Sequence, residues 1–160
     1  MGYQGPCTRC MTTTSPGWSG GDPDDFTALT LVRASQVLAR IFSATLVPFG
    51  LAPHHFSVLL HLVERPGLSQ ADLARVVLAT PQSVGELVRV MEDKGLIERT
   101  PPAGRGHPSA VYASASGRAL LDEVTPAVLA AFAPEAMGLD ADRCDRLNDD
   151  LHTVLRSMER

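Results

Sequence analysis

The chain has 160 residues, 44% of them hydrophobic and 5% aromatic, and a formal net charge of −4. That length favours one domain, a core of Leu, Val and Ala with few rings favours helices over a β-sandwich, and the net acidity excludes a protein that coats nucleic acid indiscriminately. The longest apolar run falls short of the roughly 20 residues a membrane span needs, and no basic stretch precedes a hydrophobic one at the N-terminus, so a cytoplasmic protein is expected.

Residues 1–23 are rich in Gly, Thr, Ser and Pro and read as a disordered leader, because they carry too little apolar surface to offset the entropy of ordering. Asp24 or Asp25 is expected to cap a first helix reaching about Val47, with apolar residues Phe26, Leu29, Val37, Leu38, Ile41 and Phe42 at three- and four-residue steps. Pro48 and Gly50 end it. Pro53 opens a second helix, whose buried stripe is expected to be Phe56, Leu59, Leu60 and Val63. Pro66-Gly67 stops that helix. The stretch "LSQADLARVV" then gives a short third helix, with Ser69 and Asp72 in a capping-box pattern.

The stretch "TPQSVGELVRVMEDKGLIERT" follows. Thr80 caps a fourth helix, Pro81 opens it, and Gly95 closes it as a left-handed cap after Lys94. Val84, Leu87, Val88 and Met91 share its core-facing side. "LIERT" and "AVYAS" alternate as half-buried strands do, and the Pro/Gly-rich segment between them makes a hairpin. Two helices close the chain, at about 116–133 and 140–158. Pro126 should kink the first. An Asp140 cap and the stripe Cys144, Leu147, Leu151, Val154/Leu155 and Met158 mark the second.

A short helix joined by a few residues to another is a helix-turn-helix, and a hairpin directly after it makes a winged helix. In that geometry the second helix enters the DNA major groove and the hairpin tip reaches the adjacent backbone or minor groove. The side chains fit such a placement. Thr80, Gln82 and Ser83 make a polar leading turn with free N–H groups at a positive helix end. Gln82 can pair with adenine and Glu86 can accept from cytosine, with Arg89 a further step along. Ser69 and Gln70 are expected on phosphate. Arg99, Arg105 and His107 supply the wing with charge and donors. Residues 65–107 carry six basic against five acidic side chains, whereas residues 119–160 carry four against nine. The middle of the chain is therefore the least repulsive place for a polyanion.

These residues resemble the MarR family of bacterial winged-helix regulators. The likeness rests on "LSQADLARVV", on "MEDKGLIER" and on "VYASASGRALLDEV", with Gly117 matching a family glycine, and it spans about residues 24–158. It departs at Val90, where the family often has Arg, at Glu86, and in the wing, which reads "GRGHPSA" without the family's Asp. The resemblance implies a mostly α fold: a single domain over 24–160, with a winged helix-turn-helix at 53–115, a two-stranded β-wing, and N- and C-terminal dimerisation helices at 24–50 and 116–160. It also implies a homodimer on a pseudo-palindromic operator, acting as a ligand-responsive repressor. A small aromatic or phenolic effector would then have Arg33, Arg40, His55 and Phe56 as conceivable contacts. The alternative is a winged helix used for protein–protein contact without DNA binding, which Val90 and Glu86 favour.

Other chemistry finds little support. Cys7 and Cys10 form a C-x-x-C with no second pair, and Cys144 reads as a structural thiol. His54 and His61 share one helix face without converging ligands. No nucleophile-base spacing, phosphate loop or dinucleotide fingerprint is present, so neither an enzyme nor a cofactor or metal is expected.

Overall fold

The computed structural model describes residues 22–77, 79–100 and 109–158. The chain divides into two compact units, one running to Arg40 and one from Ile41 onward. In the first, Pro23–Asp25 form a 3-10 turn and helix α1 begins at Thr27, continuing to Leu46. Asp24 and Asp25 therefore lie in a turn just ahead of α1. Within that turn the Asp22 carboxylate accepts the Asp24 N–H at 2.9 Å, and Arg33 pairs with Asp24. Phe26 just before α1, and Leu29, Val32, Val37, Leu38 and Ile41 along it, remain exposed.

The second unit contains α2 (Pro53–Glu64), β1 (Leu68–Ser69), α3 (Gln70–Val76), α4 (Pro81–Asp93), β2 (Ile97–Arg99), β3 (Ala110–Ala113), α5 (Ala115–Ala131) and α6 (Ala141–Met158). A 3-10 turn over Val47–Phe49 precedes α2 and is closed by Gly50 at φ 65°. The expected two-stranded wing gains a strand. β3 lies in the middle of an antiparallel sheet of order β1-β3-β2, with Leu68 opposite Val111 and Ile97 opposite Ala113. The segment just before α3 is thereby stitched to the wing.

Leu46, Val58, Leu59, Leu62, Leu73, Val84, Val88, Met91, Val111 and Val124 are wholly removed from solvent. Each such side chain contributes about 1.5–3 kcal/mol of transfer free energy. The stripe of α2 is rotated from its expected phase: Phe56, Val58, Leu59 and Leu62 are buried, whereas Leu60 and Val63 are exposed. The doublets Leu59-Leu60 and Leu62-Val63 leave two faces equally apolar, and tertiary packing selects one. Cys144 is half-buried.

α5 is fixed to the end of α4 by one serine. The Ser114 hydroxyl donates to the Gly95 carbonyl at 2.6 Å and accepts the Gly117 N–H at 3.0 Å, capping α5. A Cβ at Gly117 would collide with the Leu96 carbonyl, so glycine is required for this close crossing. α5 then runs on through Pro126 to Ala131. α6 starts at its expected cap, where the Asp140 carboxylate accepts the Arg143 N–H at 2.8 Å, and it has no buried residue.

Candidate nucleic-acid interface

α3 and α4 are both capped by hydroxyls. The Ser69 oxygen accepts the Asp72 N–H at 3.1 Å while its proton goes to the Asp72 carboxylate at 2.6 Å. That hydrogen bond, with Arg75 nearby, holds the Asp72 carboxyl below its usual pKa. Ser69 is thus occupied by its own helix, although a phosphate contact had been expected of it. At α4, the Thr80 oxygen accepts the Ser83 N–H at 3.2 Å, and the two hydroxyls lie 2.8 Å apart. Part of the polar leading turn therefore secures the helix end.

α4 divides cleanly into two faces. Val84, Val88 and Met91 are buried, and Leu87 is half-buried. Gln82, Glu86 and Arg89 are exposed on the other side. Arg89 lies 3.7 Å from Asp93, both side chains being largely in solvent. Gln82 and Glu86 have no side-chain partner among the described residues, so their polar groups are available to a ligand.

Two contacts between elements shape the edges of this surface, and no sequence periodicity announces either. From α3, the Gln70 amide nitrogen donates to the Pro81 carbonyl at 3.3 Å. At the wing base, the Arg99 guanidinium holds the Glu92 carboxylate through both its Nε, at 2.8 Å, and a terminal nitrogen. The hydrogen bond to Glu92 raises the Arg99 pKa further above its ordinary value. The expected wing cation is therefore paired with an acid of α4. Arg105 and His107 lie outside the described residues, as do Cys7 and Cys10.

The helix order, the three-stranded sheet and the open polar face of α4 are those of a winged helix-turn-helix. A family model described as "MarR family" matches residues 49–106. The HTH-type transcriptional repressor Rv2887 of Mycobacterium tuberculosis (strain H37Rv) is 38% identical over 103 residues, covering 64% of this chain and 74% of that protein. The chain belongs to the MarR family. The crystal structure of the M. tuberculosis MarR family protein Rv2887 in complex with salicylic acid superposes with a TM-score of 0.64 at 32% identity, over 81% of this chain and 96% of that one. A MarR-family transcriptional regulator from Rhodococcus sp. RHA1 superposes with a TM-score of 0.76 at 26% identity, over 83% and 94%. These MarR relatives are named as regulators.

The four residues considered for an effector have distinct surroundings. In the first unit, Arg33 pairs with Asp24 and Arg40 is exposed. In the second, the His55 ring nitrogen accepts the Ala52 N–H at 3.2 Å, tying down the start of α2. Burial, then the charges of Lys94 and His54, push the His55 pKa below 6.5. Phe56 is a core residue, stacked edge-on against Phe42 at 5.3 Å, and Phe42 meets Phe132 in the same way at 5.3 Å. These two ring contacts join residues 14 and 90 positions apart, so no local pattern reveals them.

Proposed function

We propose that this MarR-family protein is a homodimeric, sequence-specific, double-stranded DNA-binding transcriptional repressor that responds to a small ligand. It would act in the cytoplasm as a regulator with no catalytic step. The observation that carries this reading is α4 itself. Val84, Val88 and Met91 commit one side of it to the core, and Gln82 and Glu86 project from the other side of this capped helix with no partner among the described residues. A rigid helix fixes the backbone from which these side chains reach, and amides and carboxylates are groups that read base edges. Thr80, Gln82, Ser83, Glu86 and Arg89 would face the major groove, with Ser69, Gln70, Arg99, Arg105 and His107 around it.

Homodimerisation is supported by the apolar residues that α1 and α6 leave in solvent, since such stripes call for a cover. Two recognition helices about one DNA turn apart, ~34 Å, require a pseudo-palindromic operator. The salicylic acid held by the Rv2887 structure supports an aromatic acid as effector here. The candidate contacts are His55 and the buried Phe56 in the second unit, and separately Arg33 and Arg40 in the first.

The test is binding to the DNA upstream of the protein's own coding region at a series of salt concentrations. Affinity should fall linearly on a log–log plot, because displaced phosphate counterions are released. A footprint of two half-sites should weaken when salicylate is added. Glu86, an unpaired acid on the groove-facing side, favours the other reading, a protein–protein module. A flat salt slope with no footprint would overturn the DNA-binding reading in favour of that alternative.

A further inference from the structure

Gly85 is out of place by helix propensity. It stands inside α4, three residues after Gln82 and four before Arg89, so it shares their ridge. Glycine in a helix interior is unfavourable unless something needs the space. Something does: a Cβ built on Gly85 would stand 2.8 Å from the Gln70 amide nitrogen and 3.7 Å from its side-chain carbon. The end of the Gln70 side chain thus occupies the place where residue 85 would begin its own.

The stem of Gln70 is well anchored. Its preceding residue, Ser69, caps α3 and pairs with Ala110 in the sheet. One amide N–H is directed at the Pro81 carbonyl. The amide oxygen and the second N–H have no partner among the described residues, and the side chain is half-exposed. A free acceptor and a free donor on one planar amide are what an adenine edge requires at N6 and N7.

We propose that Gln70, delivered from α3 across Gly85, reads a base in the major groove, most naturally adenine, as part of the recognition surface of α4. It is then a specificity residue, not a phosphate anchor, and Gly85 is the gap that admits it. The inference rests on the DNA-binding reading above.

The experiment compares the wild type with Gln70→Ala, Gln70→Met, Gly85→Ala and the Gln70→Ala/Gly85→Ala double variant. Each is titrated by fluorescence anisotropy against the footprinted operator and its single base-pair substitutions, at several salt concentrations. Gln70→Met keeps the aliphatic stem over Gly85, and thermal melts identify any variant that fails to fold. The wild type should discriminate at one base pair per half-site by about tenfold. Both Gln70 variants should lose that discrimination without changing the salt slope. Gly85→Ala should lose it at the same base pair, and the double variant should be no worse than Gln70→Ala.

A uniform loss on all sequences in Gln70→Met, with every base preference kept and the salt slope unchanged because the amide carries no charge, would mark a phosphate hydrogen bond and overturn the inference. So would a base preference that survives Gly85→Ala. A wild type that binds no DNA in a salt-dependent way removes the underlying reading, whereas a binding wild type with uniform losses removes this inference alone.

Discussion

α4 has 13 residues and buries Val84, Val88 and Met91 completely, whereas α6 has 18 residues and buries none. Both helices are amphipathic. The apolar stripe of α4 meets α3, the sheet and α2 within its own chain. On α6, Leu147, Val154, Leu155 and Met158 are left in solvent. The same periodic signal thus has two meanings. In the winged-helix body it specifies the fold of one chain, and in the terminal helix it leaves an apolar face that the proposed dimer would cover.

The largest effects should separate these meanings. Met91→Ala removes a fully buried side chain and should cost about 2–5 kcal/mol of folding free energy, read by urea denaturation. Leu155→Glu alters an exposed position and should change the stability of the isolated chain by only about 0.5 kcal/mol. It should nevertheless shift sedimentation at micromolar concentration from dimer to monomer and weaken operator binding. If Leu155→Glu unfolds the chain as Met91→Ala does, α6 belongs to the core and the contrast fails.

The same contrast explains how much could be read from sequence. α4 was legible because a Thr-Pro start, a Lys-Gly stop and an apolar period all agree, and the open polar side follows from the buried one. α2 was legible as a helix but not in phase, because its apolar doublets do not distinguish two faces. β1 has only two residues, too few for an alternation to show, and it exists because β3 offers an edge. The contacts Gln70–Pro81, Glu92–Arg99 and Phe42–Phe56 join different elements, and no local pattern encodes them. Gly85 and Gly117 are local traces of such contacts, since a glycine inside a helix asks for a reason. The leader and the wing tip, with Arg105 and His107, fall outside the described residues.

An intermediate effect is expected at the edge of α4. Glu92 and Arg99 have side chains about a third exposed, so their pair contributes no more than about 1 kcal/mol to folding. Glu92→Gln removes an acid from the flank of α4, the proposed recognition helix, and releases the Arg99 guanidinium. Stability should therefore change little, while affinity for all DNA sequences rises several-fold and the salt slope steepens by about one unit. An unchanged slope would restrict Arg99 to holding the wing base, and the comparison would then run between two structural roles.

The smallest effect concerns pH, and it lies wholly within the body. Burial lowers the His55 pKa below 6.5 in the folded chain, while the unfolded chain keeps the ordinary value. Between the two values the unfolded state binds more protons, so stability rises with pH there. The contribution of neutral His55 is complete above about pH 6.5 and is lost as pH falls through the folded value. His55→Gln keeps an acceptor for the Ala52 N–H, since glutamine serves at that helix position, but it cannot titrate. Urea midpoints at pH 7.5, 6.5 and 5.5 should therefore fall more steeply in the wild type than in His55→Gln. The difference should persist in a Leu155→Glu background, because α2 is packed by its own chain and does not depend on what covers α6. If the difference vanishes in that background, the start of α2 depends on the second copy, and the boundary drawn between body and dimer surface must move.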